Sequence, residues 1–581
     1  MLKETEFRLT TRQGPPSGSP PGSPGYLAPL AVLLCVAAII PVWMCEYFPS
    51  HNAPALLSVA QIASHYHDER FGYTEYYEVH LFPVPYLFQF GIMVPLLSWF
   101  GPQFVLKLLV SVVIVLRCGA IFYFLRQIGP GRATYGLAYF VLVYDFVLLR
   151  GYYNCHAAIS LGLLVFGYYL RHRDHWTARS IFVLNVLVLL VYFAHPLPLV
   201  LTGALLATYE LAVTRSLRPI PGLVARGFLP SIALLFAFLL WSRAESSWTL
   251  PQIEYASLVK KLTNVHYRGA TSLSALANWG ALGLWAVLGG IWAWRTLQAM
   301  RKSARGRRSS PLVDPWLAVW LGSVLLYLAM PSNLVGWHKA DLHVLPICFL
   351  FALSLPPALK SRRSQAVFCG LVSVVFLAGI VPQIRGLTRA SDEIREYVAG
   401  IPAVPQKSKL LSLNVKERPD SGWGLEQAFN PVQWADSYYT IERGGGLGRG
   451  LIANNTLYPV WFKDYRAAGK TQFPEVNVRN PTAEQLDRAA TTYRSVVLWN
   501  DDSTFRRLFE ARDFEVAFQQ GRLCVLTRSP ASPEQISYVS GPPVLKKGTV
   551  PLGSADTSLE NQSSERDSPL FQQAAILREI P

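Results

Sequence analysis

Carboxylates and imidazoles crowd into one stretch of this 581-residue chain. Residues 46–80 carry Glu46, His51, His65, His67, Asp68, Glu69, Glu75, Glu78 and His80 among many tyrosines, directly after the first long apolar run. A carboxylate held where an apolar segment meets water is partly desolvated. That raises its pKa and makes it a better proton acceptor. Glu46, beside Tyr47, Phe48 and Pro49, is therefore the first candidate for a general base, although the same position suits a carboxylate that only marks the water interface. His51 has the chemistry to hold a phosphate or polarise a leaving group, and it equally fits a solvated loop imidazole. His65 and His67 are two residues apart and oppose each other on a helix. Two ligands on one helical face need i, i+4 spacing, so this cluster does not make a metal site by pattern. Glu75 and Glu78 share a helical face and read as a solvated edge.

Further candidates lie downstream. Asp145 falls inside the apolar run 135–149. A lone buried carboxylate is costly, so it is either a second acid reaching the site or a group bonded to a neighbouring tyrosine or to Arg150. The Gly151-Tyr152-Tyr153-Asn154 turn offers an amide, and the turn Ala194-His195-Pro196 puts His195 at the outer surface. In the loop 336–343, His338, Lys339 and His343 have the charge to neutralise a phosphate, with Trp337 against a sugar or apolar face. The plainer alternative there is a local Lys339–Asp341 pair. His266 and Arg268 are weaker candidates of the same kind. The glycines at 444–446 follow no GxGxxG pattern opening a helix, so they do not mark a dinucleotide site.

These groups must be positioned by membrane helices. The chain is 51% hydrophobic and 15% charged, with a mean hydropathy of +0.25, against roughly 25% charged in soluble proteins. Apolar runs of about 20 residues recur, the length that crosses a bilayer. The net charge of +16 does not point to nucleic acid. Its Lys and Arg cluster in short loops (171–179, 215–226, 295–308 and 360–363), as the positive-inside rule requires of cytoplasmic loops. The seven cysteines show no CxxC pair and no metal-ligand spacing.

The expected organisation follows. Residues 1–26 form a disordered cytoplasmic tail. Residues 27–384 form a polytopic α-helical membrane domain of about 11–12 spans with an external loop at 46–83. Residues 385–530 form a small extracytoplasmic α/β domain, and 531–581 a disordered tail. The span count turns on 84–99, whose parity conflicts with its neighbours and which reads as re-entrant or surface-lying. Strands are expected at 409–414 and 495–499, a short helix at 503–512, and a hairpin at 514–518 and 523–527 around Gln519-Gln520-Gly521-Arg522.

With these residues assembled, the chain resembles the GT-C superfamily, membrane glycosyltransferases that use lipid-phosphate sugars. Locally it is similar to bacterial members with an Asp-x-Pro-x-His element after the first span, a Gly-aromatic-x-Asn element later and a Gly-Gly element in the outer domain. The matching residues are Pro49 and His51, then Gly151, Tyr152 and Asn154, then Arg443, Gly444 and Gly445. The chain departs at Tyr47, which stands where those members have Asp, so the acid would come from Glu46. The resemblance implies a multi-pass protein of a bacterial inner membrane. It would carry out inverting transfer from a polyprenyl-phosphate sugar to a glycan, lipid or protein acceptor. Glu46 would be the base, and His51, His338 or Lys339 would steady the departing phosphate. Some GT-C enzymes need a divalent metal and others do not. A lipid-linked-substrate transporter or a non-enzymatic scaffold remains as the alternative. A transporter would show two related halves with broken helices, and the sequence has no such symmetry.

Overall fold

The computed structural model describes residues 25–528 except for 81–82, 130, 246–252, 270–278, 280–281, 291, 295–296, 298–313, 335–336, 360, 416–429, 448–457 and 464–473. The expected tails, most of the 295–308 loop and the side chains of His266, Arg268, Trp337 and His338 lie outside the described residues.

Helix α1 (Leu27–Met44) is apolar all round. Leu34, Ala38 and Val42 pack inward, while Val32, Leu33, Val36 and Ile40 are exposed. An outward face of Val and Leu is stable only against lipid. The helix Arg362–Val398 shows the same stripe in Val367, Leu371, Val374, Leu377 and Val381. Five described helices are long and apolar enough to cross a membrane: Leu27–Met44, Pro102–Ile128, Pro196–Thr214, Pro219–Ser242 and Arg362–Ala403. Between and beside them run α2 (Ala53–Ser64), α3 (Leu87–Leu97), α4 (Pro102–Ile128), α5 (Phe146–Leu149), α6 (Tyr153–His172), α7 (Ala178–Ala194) and α8 (Pro196–Thr214). The helices Pro315–Ala329 and Ala340–Ala352 follow. The protein is a polytopic α-helical membrane protein with a sheet-containing C-terminal region.

Two apolar runs do not become spanning α-helices. Within 84–99 only the 11 residues of α3 are helical, about 16 Å at 1.5 Å per residue and half a bilayer core. The run 135–149 becomes a 3-10 segment, Arg132–Leu142, followed by the single turn of α5. Non-α backbone at such depth is tolerated where protein covers it. Here α1, α4 and the Arg362–Val398 helix do so. Tyr144 Oη donates to Ala38 O at 2.6 Å and Tyr135 Oη to Pro357 O at 2.8 Å, fixing the segment to its neighbours.

The span expected to end at 384 runs on unbroken. Arg362–Val398 has 37 residues, about 56 Å of helix, well beyond the ~30 Å of hydrocarbon. Its polar last turns meet the sheet. Arg522 ion-pairs with Glu393 at 2.9 Å and Glu396 at 2.7 Å while lying 4.4 Å from the centre of the Trp499 ring.

The strands are β1 (Tyr77–Val79), β2 (Asn333–Leu334), β3 (Trp337–His338), β4 (Lys409–Asn414), β5 (Gly446–Leu447), β6 (Val460–Phe462), β7 (Ser495–Trp499), β8 (Phe514–Gln520) and β9 (Leu523–Arg528). Five form one sheet in the order β5-β4-β7-β9-β8. β4 is parallel to both its neighbours, and the β8–β9 hairpin is antiparallel. β7 is buried along its whole length, as the near-continuous apolar run of a two-sided strand requires. β1 pairs antiparallel with β6, tying the loop after α1 to the C-terminal half of the chain.

Candidate functional site

The loop after α1 is pinned at three places, and the three resembling elements are those joints. At the first, His51 N donates to Leu149 O at 3.0 Å and Asn52 N to Arg150 O at 3.1 Å. Gly151, at φ +77°, lets the chains approach: a Cβ there would stand 2.9 Å from Ser50 Oγ and 3.1 Å from Ala53 N. Only glycine combines that φ with that clearance. At the second, Asn154 brackets the start of α3. Its Oδ1 accepts from Gln89 N and its Nδ2 donates to Tyr86 O, both at 3.1 Å. At the third, Gly445 N donates to Phe71 O at 2.8 Å. Gly444 and Gly445 both have positive φ, and side chains there would meet the backbone of Phe71 and of Lys407–Ser408. Arg443 Nε donates to Ile401 O at 2.9 Å, and Tyr73 Oη to Thr440 O at 2.8 Å.

A cationic cluster sits at the first joint. Arg150 Nη1 lies 2.9 Å from His51 Nδ1. A guanidinium can only donate, so Nδ1 accepts and the ring proton is on Nε2. Burial, then the positive charges of Arg150 and Lys339, hold the His51 pKa well below the usual imidazole value. His51 is therefore a neutral donor. Arg150 and Lys339 lie 5.9 Å and 5.8 Å from the centre of the Phe146 ring. Lys339 adopts a left-handed backbone at φ +59°, which ends the β2–β3 hairpin and starts the helix Ala340–Ala352.

The other candidates occupy distinct places. Glu46 is exposed, and its carboxylate is 3.7 Å from Arg395, which also pairs with Asp392 at 2.8 Å. Such exposed pairs contribute little to stability. Asp145 is buried and caps α5, accepting from Leu148 N at 2.9 Å, with His156 Nε2 4.0 Å away. His195, expected at the outer surface, is instead buried with His343, their rings 5.4 Å apart. His343 packs edge-on to Tyr152 at 4.7 Å. Thus His51 and Lys339 come together with Arg150. Asn154 is engaged by backbone. Glu46 and Asp145 point to different surroundings, and the His338 side chain is outside the described residues.

Cys155, His195 and His343 each place a donor atom within 4.8 Å of the others. His343 leaves both ring nitrogens without a hydrogen bond, but His195 does not suit a cation. Its Nδ1 accepts from Leu197 N at 3.1 Å, so the proton is on Nε2, which faces Tyr86 Oη at 2.9 Å. A metal at Nε2 would have to displace that proton. The donor set as built does not fit a divalent ion.

Three functional candidates escape the sequence reading. Arg150 directly precedes Gly151 at the end of the apolar run 135–149. Arg117 lies inside α4, 1% exposed, donating to Ser160 Oγ at 2.7 Å and His156 O at 2.8 Å. Glu210 lies buried in α8. An ionisable group within a spanning helix is itself the signal for the last two.

Neither a family model nor any curated protein matches the sequence. The structure is similar to two crystal structures of ArnT from Cupriavidus metallidurans. The apo form gives a TM-score of 0.52, covering 87% of this chain and 99% of that one. The form bound to undecaprenyl phosphate gives 0.54, covering 87% and 98%. Both share 11% identity with this chain. This chain has the fold of ArnT, a GT-C glycosyltransferase, over 87% of its length.

Proposed function

We propose that the protein is a bacterial inner-membrane glycosyltransferase that takes a sugar from a polyprenyl-phosphate donor and passes it to an extracytoplasmic acceptor. The observation that carries this reading is the cluster of Arg150, Lys339 and neutral His51 at the first joint, within a fold whose solved counterpart is seen with undecaprenyl phosphate bound.

The reaction is a single displacement. An acceptor hydroxyl attacks the anomeric carbon, the bond from that carbon to the phosphate oxygen breaks, and configuration inverts. The electron pair leaves with the polyprenyl phosphate. Arg150 and Lys339 stabilise the charge developing on that phosphate, and His51 Nε2–H donates to one of its oxygens. Arg150 also orients His51 through Nδ1. We assign the acceptor proton to Glu46, which lies apart from the cluster at the end of α1 beside Arg395, so the bound acceptor has to span the two, and Glu46 releases Arg395 on taking the proton.

The test is transfer from a panel of labelled polyprenyl-phosphate sugars by purified wild type, Arg150→Ala and Glu46→Gln. Turnover is expected to fall by about 10²–10³ without Arg150, as when a charge-stabilising donor is removed. It is expected to fall by about 10²–10⁴ without the Glu46 carboxylate. Equal turnover in Glu46→Gln removes Glu46 as the base, and absence of transfer by wild type across the panel removes the reading.

A further inference from the structure

The opposite end of α6 holds a second concentration of charge, around open space. A cavity of about 320 Å³ lies between the end of α6, the start of α7, the end of α8 and the helix that follows, with Tyr169, Arg173, Trp176, Glu210, Arg218 and Arg226 in its walls. Two other cavities measure only about 10 Å³ and 20 Å³ and are mainly apolar. The first reaches the size of ligand pockets, about 300–1,000 Å³. α6 has 20 residues, so this end is about 30 Å from the cluster at His51.

Charge at the cavity is not balanced within it. Buried Glu210 is held by Arg173, with Nε 2.8 Å from Oε1, and Arg173 also lies 5.6 Å from the centre of the Tyr209 ring. That pair neutralises itself. Arg218 and Arg226 remain, with Asp174 the other acid in the lining. Neither arginine has an ion pair among the described residues.

The backbone that carries Arg226 is specifically built. Val224–Phe228 forms a π-helical turn, a feature found frequently at functional sites. Asn185 Nδ2 from α7 donates to Arg226 O. Gly227 lies so close to α7 that a Cβ would stand 2.6 Å from Leu184 Cδ2. Exposed Phe182, Leu217 and Leu229 lie at this end, so the cavity borders an apolar surface. Trp176 and Tyr169 are the amphipathic rings found at headgroup depth.

We propose that this cavity binds a phosphate ester, supplied as the headgroup of an anionic membrane phospholipid, through Arg218 and Arg226. Basic pockets between spanning helices suit such headgroups. The site is independent of the transfer reaction.

The test uses the full chain in nanodiscs of phosphatidylcholine with or without phosphatidylglycerol. Native mass spectrometry reads phosphatidylglycerol retained per protein, and thermal denaturation reads the midpoint. Arg218→Gln/Arg226→Gln is expected to weaken retention by about thirtyfold, or about 2 kcal/mol at one per arginine, and to abolish the lipid-dependent rise in midpoint. Arg218→Lys/Arg226→Lys, keeping charge, retains most of both. Arg362→Gln/Arg363→Gln, on another basic loop, leaves them near wild type. Equal retention in wild type and the Gln pair overturns the site, as does an equal loss in the Arg362/Arg363 control, which would mean general surface attraction. Inorganic phosphate or glycerol phosphate raising the midpoint as much as the lipid, with loss in the Gln pair, keeps the phosphate site but overturns the lipid source.

Discussion

The two ends of α6 use the same residue types to opposite effect. At Tyr153, Arg150 and Lys339 are packed against Phe146 and His51, and backbone joints at Gly151 and Asn154 leave a glycine's width between chains. At His172, arginines, aromatic rings and two carboxylates stand around about 320 Å³ of space. Tightly joined cations are held in a fixed geometry, which suits stabilising charge at one moment of a reaction. Cations at the rim of a cavity suit a ligand that stays bound. The backbone differs too: positive-φ Gly151 lies at one end and a π turn, Val224–Phe228, beside the other.

The largest effect is expected at the third joint of the loop after α1, in Gly445→Ala. A side chain there meets the Ser408 carbonyl, and the residue keeps a φ that costs L residues energy. The expected cost is about 3 kcal/mol or more, read as a shortened half-life in detergent and faster proteolysis within 65–80. Next is Arg150→Lys beside Arg150→Ala. Lysine keeps charge but loses the planar fork facing His51, so turnover should fall between wild type and alanine, whose deficit is about 10²–10³. Arg226→Gln in phosphatidylcholine alone should leave turnover unchanged, which sharpens the contrast between the ends. Asn154→Ala removes two bonds to α3 and leaves Gln89 N and Tyr86 O unpaired, for about 1–3 kcal/mol in unfolding stability.

The smallest effect is a pH dependence. His51 is held neutral in the folded protein, its pKa depressed. Above the ordinary imidazole value of about 6.5 neither state takes the proton. Below it the unfolded chain is protonated and the folded one is not, so stability falls as pH drops, by at most about 1.4 kcal/mol per unit. His51→Asn, which keeps an acceptor for Arg150, should lower the slope by His51's share, at most about 1.4 kcal/mol per unit, in denaturation followed from pH 7.5 to 5.5.

The sheet was legible because its strands obey local rules. Lys409–Asn414 and Ser495–Trp499 are short apolar runs between polar breaks, and the turn at Gly521 fixes the hairpin. The run 135–149 was not legible, because hydropathy reports burial and not helix type. The same apolar residues serve a 3-10 segment surrounded by protein. The roles of the glycine and asparagine elements were also hidden. Gly151 meets Ser50 about a hundred residues away and Gly445 bonds Phe71 several hundred residues away, and spacing cannot report such a neighbour.

Composition and periodicity alone determined that this is a membrane chain with a small α/β region, because the need to bury apolar surface and satisfy backbone polar groups acts on every residue locally. Which charges meet was decided by tertiary structure. Arg150 finds His51 and Lys339, while Glu46 turns toward Arg395, because long-range packing sets the direction of a side chain and a Coulomb interaction depends on that distance.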